Sequence, residues 1–142
     1  MTHICIITAE FYEDIAAELV RGAVTHLESA HCTYDIIPVP GAFEIPAAVR
    51  IAIESGKYEG YVTLGCVIRG DTTHYDYVCA ESARGLNDLA VQYMAAIGYG
   101  ILTVENPEQA WVRAATAQGN KGKDAAIACL RMIEIKKDLA RI

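Results

Sequence analysis

The sequence predicts a three-layer α/β sandwich: a four-stranded parallel sheet in the order 2-1-3-4 with helices on both faces. Three observations carry this expectation. Short apolar runs alternate four times with longer segments of helical period, the pattern of repeated βαβ units. The apolar runs are nearly unbroken, as in strands covered on both faces. Right-handed crossovers between parallel neighbours then leave a doubly wound sheet as the natural arrangement.

His3 to Ala9 reads as the first strand, and Glu10-Phe11-Tyr12-Glu13 as the turn that follows it. A helix then runs to about Ser29. Its polar stripe is Asp14, Glu18, Arg21, Thr25 and Glu28, a spacing that only a helix gathers on one face, with Leu19, Ala23 and Leu27 opposite. Cys32 to Val39 is the second strand, closed by Pro40-Gly41. The second helix fits Phe43 to Ser55, with Pro46 in its first turn, where a missing N–H costs nothing, and Gly56 as its C-cap. Gly60 to Ile68 is the third strand. Its helix is expected from Asp76 to Ile97, with Leu86, Ala90, Met94 and Ile97 inward and Gly98 as the stop. Tyr99 to Val104 is the fourth strand, and Pro107 opens a helix through Arg113. Gly119 to Gly122 breaks the pattern before a last helix from Asp124 to Arg141. No repeat, low-complexity segment or linker divides the 142 residues, which read as one flavodoxin-like domain.

Composition narrows the function. The chain is 53% hydrophobic with a mean hydropathy of +0.21, high for a small domain, so part of the apolar excess is expected in subunit interfaces. A net charge of −6 and a pI near 5.1 argue against a nucleic-acid partner. Five widely spaced cysteines without a CxxC suggest neither disulfides nor zinc and point to a reducing compartment, the cytoplasm. No apolar run reaches membrane-spanning length, and the first strand lacks the basic leader of a signal peptide.

Ligands of such sheets bind beyond the C-terminal ends of the strands. There the sequence places Glu10-Phe11, Pro40 to Glu44, Arg69 to His74 and Glu105-Asn106. The stretch from Tyr61 to Tyr77, YVTLGCVIRGDTTHYDY, holds a strand, a polar turn and a helix start. Backbone N–H groups and the helix dipole favour an anion at such a place, with Thr72 and Thr73 as further donors and His74 as a proton-transfer group. An ordinary capped junction fits the same residues. In VPGAFEIP, Val39 to Pro46, Glu44 can accept hydrogen bonds from ligand hydroxyls or simply favour the helix dipole. Phe11 can stack on a planar ring or cover a core edge. Arg113 and Lys121 flank a helix break, as anion ligands or as solvated charges. His3, His26 and His31 have no partner pattern. Neither GxGxxG nor GxxxxGK[ST] occurs, and no nucleophile elbow is present.

VPGAFEIP, GCVIRGDTTHYDYVCAESARGL, YGILTVEN and EQAWVRAATAQGNKGKDAA together resemble, in order and spacing, the lumazine synthases, over nearly the whole chain. The resemblance implies an enzyme of riboflavin biosynthesis. It condenses 5-amino-6-(D-ribitylamino)uracil with 3,4-dihydroxy-2-butanone 4-phosphate, using no cofactor and no metal. It further implies that Phe11 stacks on the pyrimidine and that Ala42, Phe43 and Glu44 hold the ribityl chain. Cys66, Val67 and Ile68 line the ring site through backbone groups. Asp71 and Thr72 meet the phosphate opposite Arg113, and His74 transfers protons. Tyr99, Arg113 and Lys121 resemble residues that arrive from a neighbouring subunit, so the resemblance implies a homopentamer with active sites between adjacent subunits. In many members twelve pentamers close a sixty-subunit shell.

Three features depart from the family pattern. Tyr99 stands where phenylalanine is common, Asp71 sets a carboxylate near the dianion, and the chain starts almost at its first strand, where shell-formers carry a longer leading segment. The uninterrupted GNKG turn matches shell-formers, so the assembly signals divide. The alternative class is a non-catalytic flavin or lumazine binder or shell scaffold of the same fold. An electron carrier would need a Ser/Thr-rich loop where AEFYED stands.

Overall fold

The structure is a computed structural model that describes residues 1–140. In chain order it contains β1 (His3–Ala9), α1 (Glu13–Ser29), β2 (Thr33–Val39), a 3₁₀ turn (Ala42–Glu44), α2 (Ile45–Ser55) and β3 (Gly60–Ile68). There follow α3 (His74–Tyr93), β4 (Ile97–Val104), α4 (Pro107–Ala114) and α5 (Lys121–Leu139). The four strands form one parallel sheet in the order β2-β1-β3-β4, the order expected from the sequence.

Side chains of a strand alternate between faces, and β1 shows why both faces need cover. Ile4 and Ile6 enter a core roofed by Leu19 and Leu27 of α1, Ala110 of α4, and Ala126 and Cys129 of α5. Cys5 and Ile7 enter a second core beneath Ile45 and Val49 of α2 and Leu86 of α3. Each fully buried Ile or Leu contributes about 1.5–3 kcal/mol relative to exposure. The sheet is therefore held by two separate apolar layers.

Several expected boundaries shift, each for a local reason. The third helix ends at Tyr93, not Ile97, because Met94 adopts a left-handed conformation at φ 52. That position usually falls to glycine. Met94 is consequently 69% exposed rather than inward, and Ile97 and Gly98 belong to β4. The same helix starts two residues early, at His74, and α5 starts at Lys121 behind Asn120, another left-handed residue at φ 50. Ala42–Glu44 forms its 3₁₀ turn before α2 begins at Ile45. β2 is a sheet edge, so its residues are exposed or half-buried rather than covered on both faces. Gly56 does cap α2, at φ 68. Arg141, the expected end of the last helix, lies outside the described residues.

Gly98 has a different role from the stop expected of it. A Cβ at that position would strike the carbonyl oxygen of Ala125, because α5 lies against β4 at backbone contact. Gly98→Ala is expected to destabilise the protein by about 1–3 kcal/mol, the usual cost of overpacking. Chemical denaturation checks it, and an unchanged midpoint would contradict the close contact.

Candidate active site

Beyond the C-terminal ends of β1, β2 and β3 lies a cavity of about 470 Å³. Each strand contributes through the loop that leaves it: Phe11 and Tyr12 after β1, Pro40 to Glu44 after β2, and Cys66, Val67 and Ile68 from the end of β3. Gly70, Thr72, His74, Tyr75 and Val78 complete the lining, from the turn into α3 and its first helical turns.

The walls are mostly apolar. The Phe11 ring is 73% exposed and meets Tyr12 edge-on at 4.9 Å, while Phe43 is 56% exposed. Exposed rings at a cavity rim suit a flat ligand better than they suit water. Cys66 is buried, and burial, with a smaller contribution from Cys79, pushes its thiol up to about 12. At neutral pH it is a neutral wall atom and not a nucleophile.

The polar groups gather at the start of α3. Thr72 Oγ1 accepts a hydrogen bond from the His74 N–H at 3.3 Å, and the Thr73 carbonyl accepts from the Asp76 N–H at 3.0 Å. The first N–H groups of a helix lack intrahelical acceptors, and the positive dipole end favours an anion there. Arg69, in the same turn, is already engaged. It donates to Glu105 at 2.9 Å and to Asp76 at 3.4 Å, and its guanidinium lies 4.3 Å above the centre of the Tyr75 ring. It braces the turn against the β4–α4 loop, and no lysine or arginine lines the cavity among the described residues.

The structure thus brings together Phe11, Ala42, Phe43, Glu44, Cys66, Val67, Ile68, Thr72 and His74. Asp71 is exposed in the turn, but it is not among the lining residues. Tyr99, Arg113 and Lys121 lie elsewhere, around a second depression of about 330 Å³ along the edge strand β4, together with Asp124, Ala125 and Ala128 of α5. Arg113 donates to the Gln109 carbonyl at 3.1 Å, and Lys121 approaches Asp124 at 3.5 Å.

The extra hydroxyl of Tyr99 has a partner within the chain. It lies 3.2 Å from the buried Ser82 Oγ, which donates its own proton to the Cys79 carbonyl at 3.2 Å. Tyr99 is therefore the donor to Ser82. Burial raises its phenol.

Tyr12, Tyr75 and Val78 line the cavity without having been singled out in the sequence. Tyr75 and Val78 lie three apart on the α3 face that follows His74 into the cavity, a helical spacing visible once the helix start is placed correctly.

The family model for 6,7-dimethyl-8-ribityllumazine synthase matches residues 1–137. The protein of that name from Afipia carboxidovorans is 54% identical, covering 97% of this chain and 88% of the relative. The 6,7-dimethyl-8-ribityllumazine synthase 1 of Rhizobium meliloti is 53% identical over 96% of this chain and 93% of its own. The chain belongs to the 6,7-dimethyl-8-ribityllumazine synthase family. A third member, from Agrobacterium fabrum, is 52% identical and is covered over 96% of both chains. The family match contains the strand-end cavity and the β4 depression alike, so the candidate residues of both fall within it.

Because Cys66 is a buried and protonated wall residue, iodoacetamide at pH 8 is expected to modify it only after denaturation. Peptide mass spectrometry reads this directly. Modification of Cys66 in the native protein as fast as in the denatured chain would overturn the assignment.

Proposed function

We propose that this chain condenses 5-amino-6-(D-ribitylamino)uracil with 3,4-dihydroxy-2-butanone 4-phosphate. The products are 6,7-dimethyl-8-ribityllumazine, phosphate and water, in the penultimate step of riboflavin biosynthesis. The observation that carries this reading is the strand-end cavity, which combines exposed rings, strand-end backbone groups, an imidazole and a helix N-terminus in a chain of this family.

Each residue has a chemical task in this reading. Phe11 stacks on the pyrimidine, and Cys66, Val67 and Ile68 present backbone groups to its edge. Ala42, Phe43 and Glu44 hold the ribityl chain, with the Glu44 carboxylate accepting from its hydroxyls. Thr72, the Asp71 N–H and the start of α3 receive the phosphate, whose dianion needs oriented donors and a cation to leave. Imine formation between the aryl amine and the ketone releases water and requires protons to move, a task suited to the His74 imidazole beside both reactants. Holding the two substrates face to face supplies a further share of the acceleration. No metal or cofactor enters any of these steps.

The cation is Arg113, brought by a neighbouring copy together with Tyr99 and Lys121. The chain works as a homo-oligomer, a homopentamer with sites between adjacent subunits, and light scattering distinguishes the pentamer from a sixty-subunit shell. Support comes from the placement of these three residues outside the cavity and from the cavity's lack of a cationic side chain among the described residues. Five free cysteines support a cytoplasmic location. No described helix is long and apolar enough to cross a membrane.

The decisive experiment mixes purified protein with both substrates and follows lumazine absorbance, with light scattering for mass. Product only at the spontaneous rate, from an assembled oligomer, would sink the enzymatic reading in favour of a non-catalytic binder. His74→Ala is expected to slow turnover by about 10²–10⁴-fold without abolishing it. Complete loss with unchanged assembly would give His74 more than proton transfer. Arg113→Ala is expected chiefly to raise KM for the butanone phosphate, and an unchanged KM would refute its contact with the phosphate.

A further inference from the structure

Glu18 belongs to the polar stripe of α1, yet its side chain is only 16% exposed. Its Oε1 accepts hydrogen bonds from the Thr116 N–H at 3.0 Å and the Thr116 hydroxyl at 3.4 Å, and its Oε2 accepts from Arg21 at 3.2 Å. Thr116 lies in the short link between α4 and α5, three residues after Arg113 and five before Lys121. That link is folded back onto α4. The Gly119 N–H donates to the Val112 carbonyl at 2.9 Å, the Asn120 N–H donates to the Ala115 carbonyl at 3.0 Å, and a Cβ on Gly119 would come within 2.8 Å of the Arg113 backbone. A displacement of the link is therefore transmitted directly to Arg113.

We propose that Glu18 is a positioning residue for the phosphate end of the reaction. It ties the α4–α5 link to α1 and so fixes where Arg113 is presented. The inference rests on the reading of Arg113 as the phosphate cation. A carboxylate suits the task because bonds to an ionised acceptor are shorter and stronger than neutral ones. Two donors from one residue also define a direction as well as a distance. Glu18 touches neither substrate. It acts through the link.

The test is steady-state kinetics on the full chain carrying Glu18→Ala, Glu18→Gln and Arg113→Ala, with light scattering to confirm assembly. Glu18→Ala is expected to raise KM for the butanone phosphate about tenfold and KM for the ribitylamino-uracil by less, short of the ~10²-fold that a 1 Å misplacement can cost. Glu18→Gln retains an acceptor oxygen and is expected to recover part of the loss. In an Arg113→Ala background, Glu18→Ala is expected to add no further rise. A purely structural Glu18 would lower the denaturation midpoint while leaving both KM values unchanged, or would add its full effect in that background. Either result overturns the proposal. If Glu18→Ala fails to assemble, Thr116→Val combined with Glu18→Gln makes the same comparison. A silent wild-type enzyme would defeat the enzymatic reading itself. An active wild type with additive effects would defeat only the tie.

Discussion

The arrangement of the molecule depends on one close contact, that of α5 with β4 and α1 at backbone distance. A Cβ on Gly98 would strike the Ala125 carbonyl oxygen, one on Gly122 would strike the Leu19 carbonyl oxygen, and one on Gly100 would lie 2.9 Å from the Ala125 Cβ. Helix α5 is thus wedged between the edge strand and α1, with no room for a side chain at these glycine positions. Interiors packed at this density move as units rather than deform locally. The start of α5 has one place to emerge, beside the edge of β4, and Lys121 emerges with it. Arg113, at the end of α4, is brought to the same edge, where Tyr99 stands. The β4 depression follows from the wedge.

The turn after β3, beside the end of β4, is constrained by charge instead. Arg69 joins the turn after β3 to Glu105 and Asp76 and covers the Tyr75 ring. That brace holds the anion-receptive start of α3 in place, and it also neutralises the one cation in the turn. The cavity can then orient a phosphate through N–H groups and the helix dipole, but it cannot balance a dianion by itself. In the proposed reaction an arginine from outside the cavity supplies that charge. The chain displays such an arginine on the far side of its own sheet edge.

The sheet order and the strand-end cluster were legible in the sequence, because alternation and crossover handedness leave few topologies and every loop after a strand faces the same way. Three short motifs far apart in the chain, around Phe11, Pro40 and Thr72, therefore had to meet, while Glu105 meets only Arg69 beside them. Other features rest on contacts that periodicity cannot encode. Met94 ends α3 in a left-handed conformation with a side chain that gives no sign of it. Glu18 fits a solvent stripe until Thr116, far along the chain, folds onto it. Tyr99 departs from the common phenylalanine, yet its added hydroxyl finds a partner in the buried Ser82. Gly98 looked like punctuation and is a packing requirement.

The apolar excess of the composition has a structural location. Phe11 and Phe43 rim the cavity, Ile51, Tyr77, Val91 and Met94 are exposed on the side of α2 and α3, and Trp111 and Val112 are exposed on α4 beside Arg113. A single copy in water leaves these surfaces uncovered, at a cost proportional to their area. Among the described residues the strand-end cavity lacks a cation, and it has exposed rings at its rim. The β4 depression has two cations and an exposed aromatic ring, but no imidazole. Covering one with the other would bury apolar surface and unite His74, the start of α3 and Arg113 around one phosphate. In this reading the same contact that stabilises assembly also completes the chemistry, so selection for one would maintain the other.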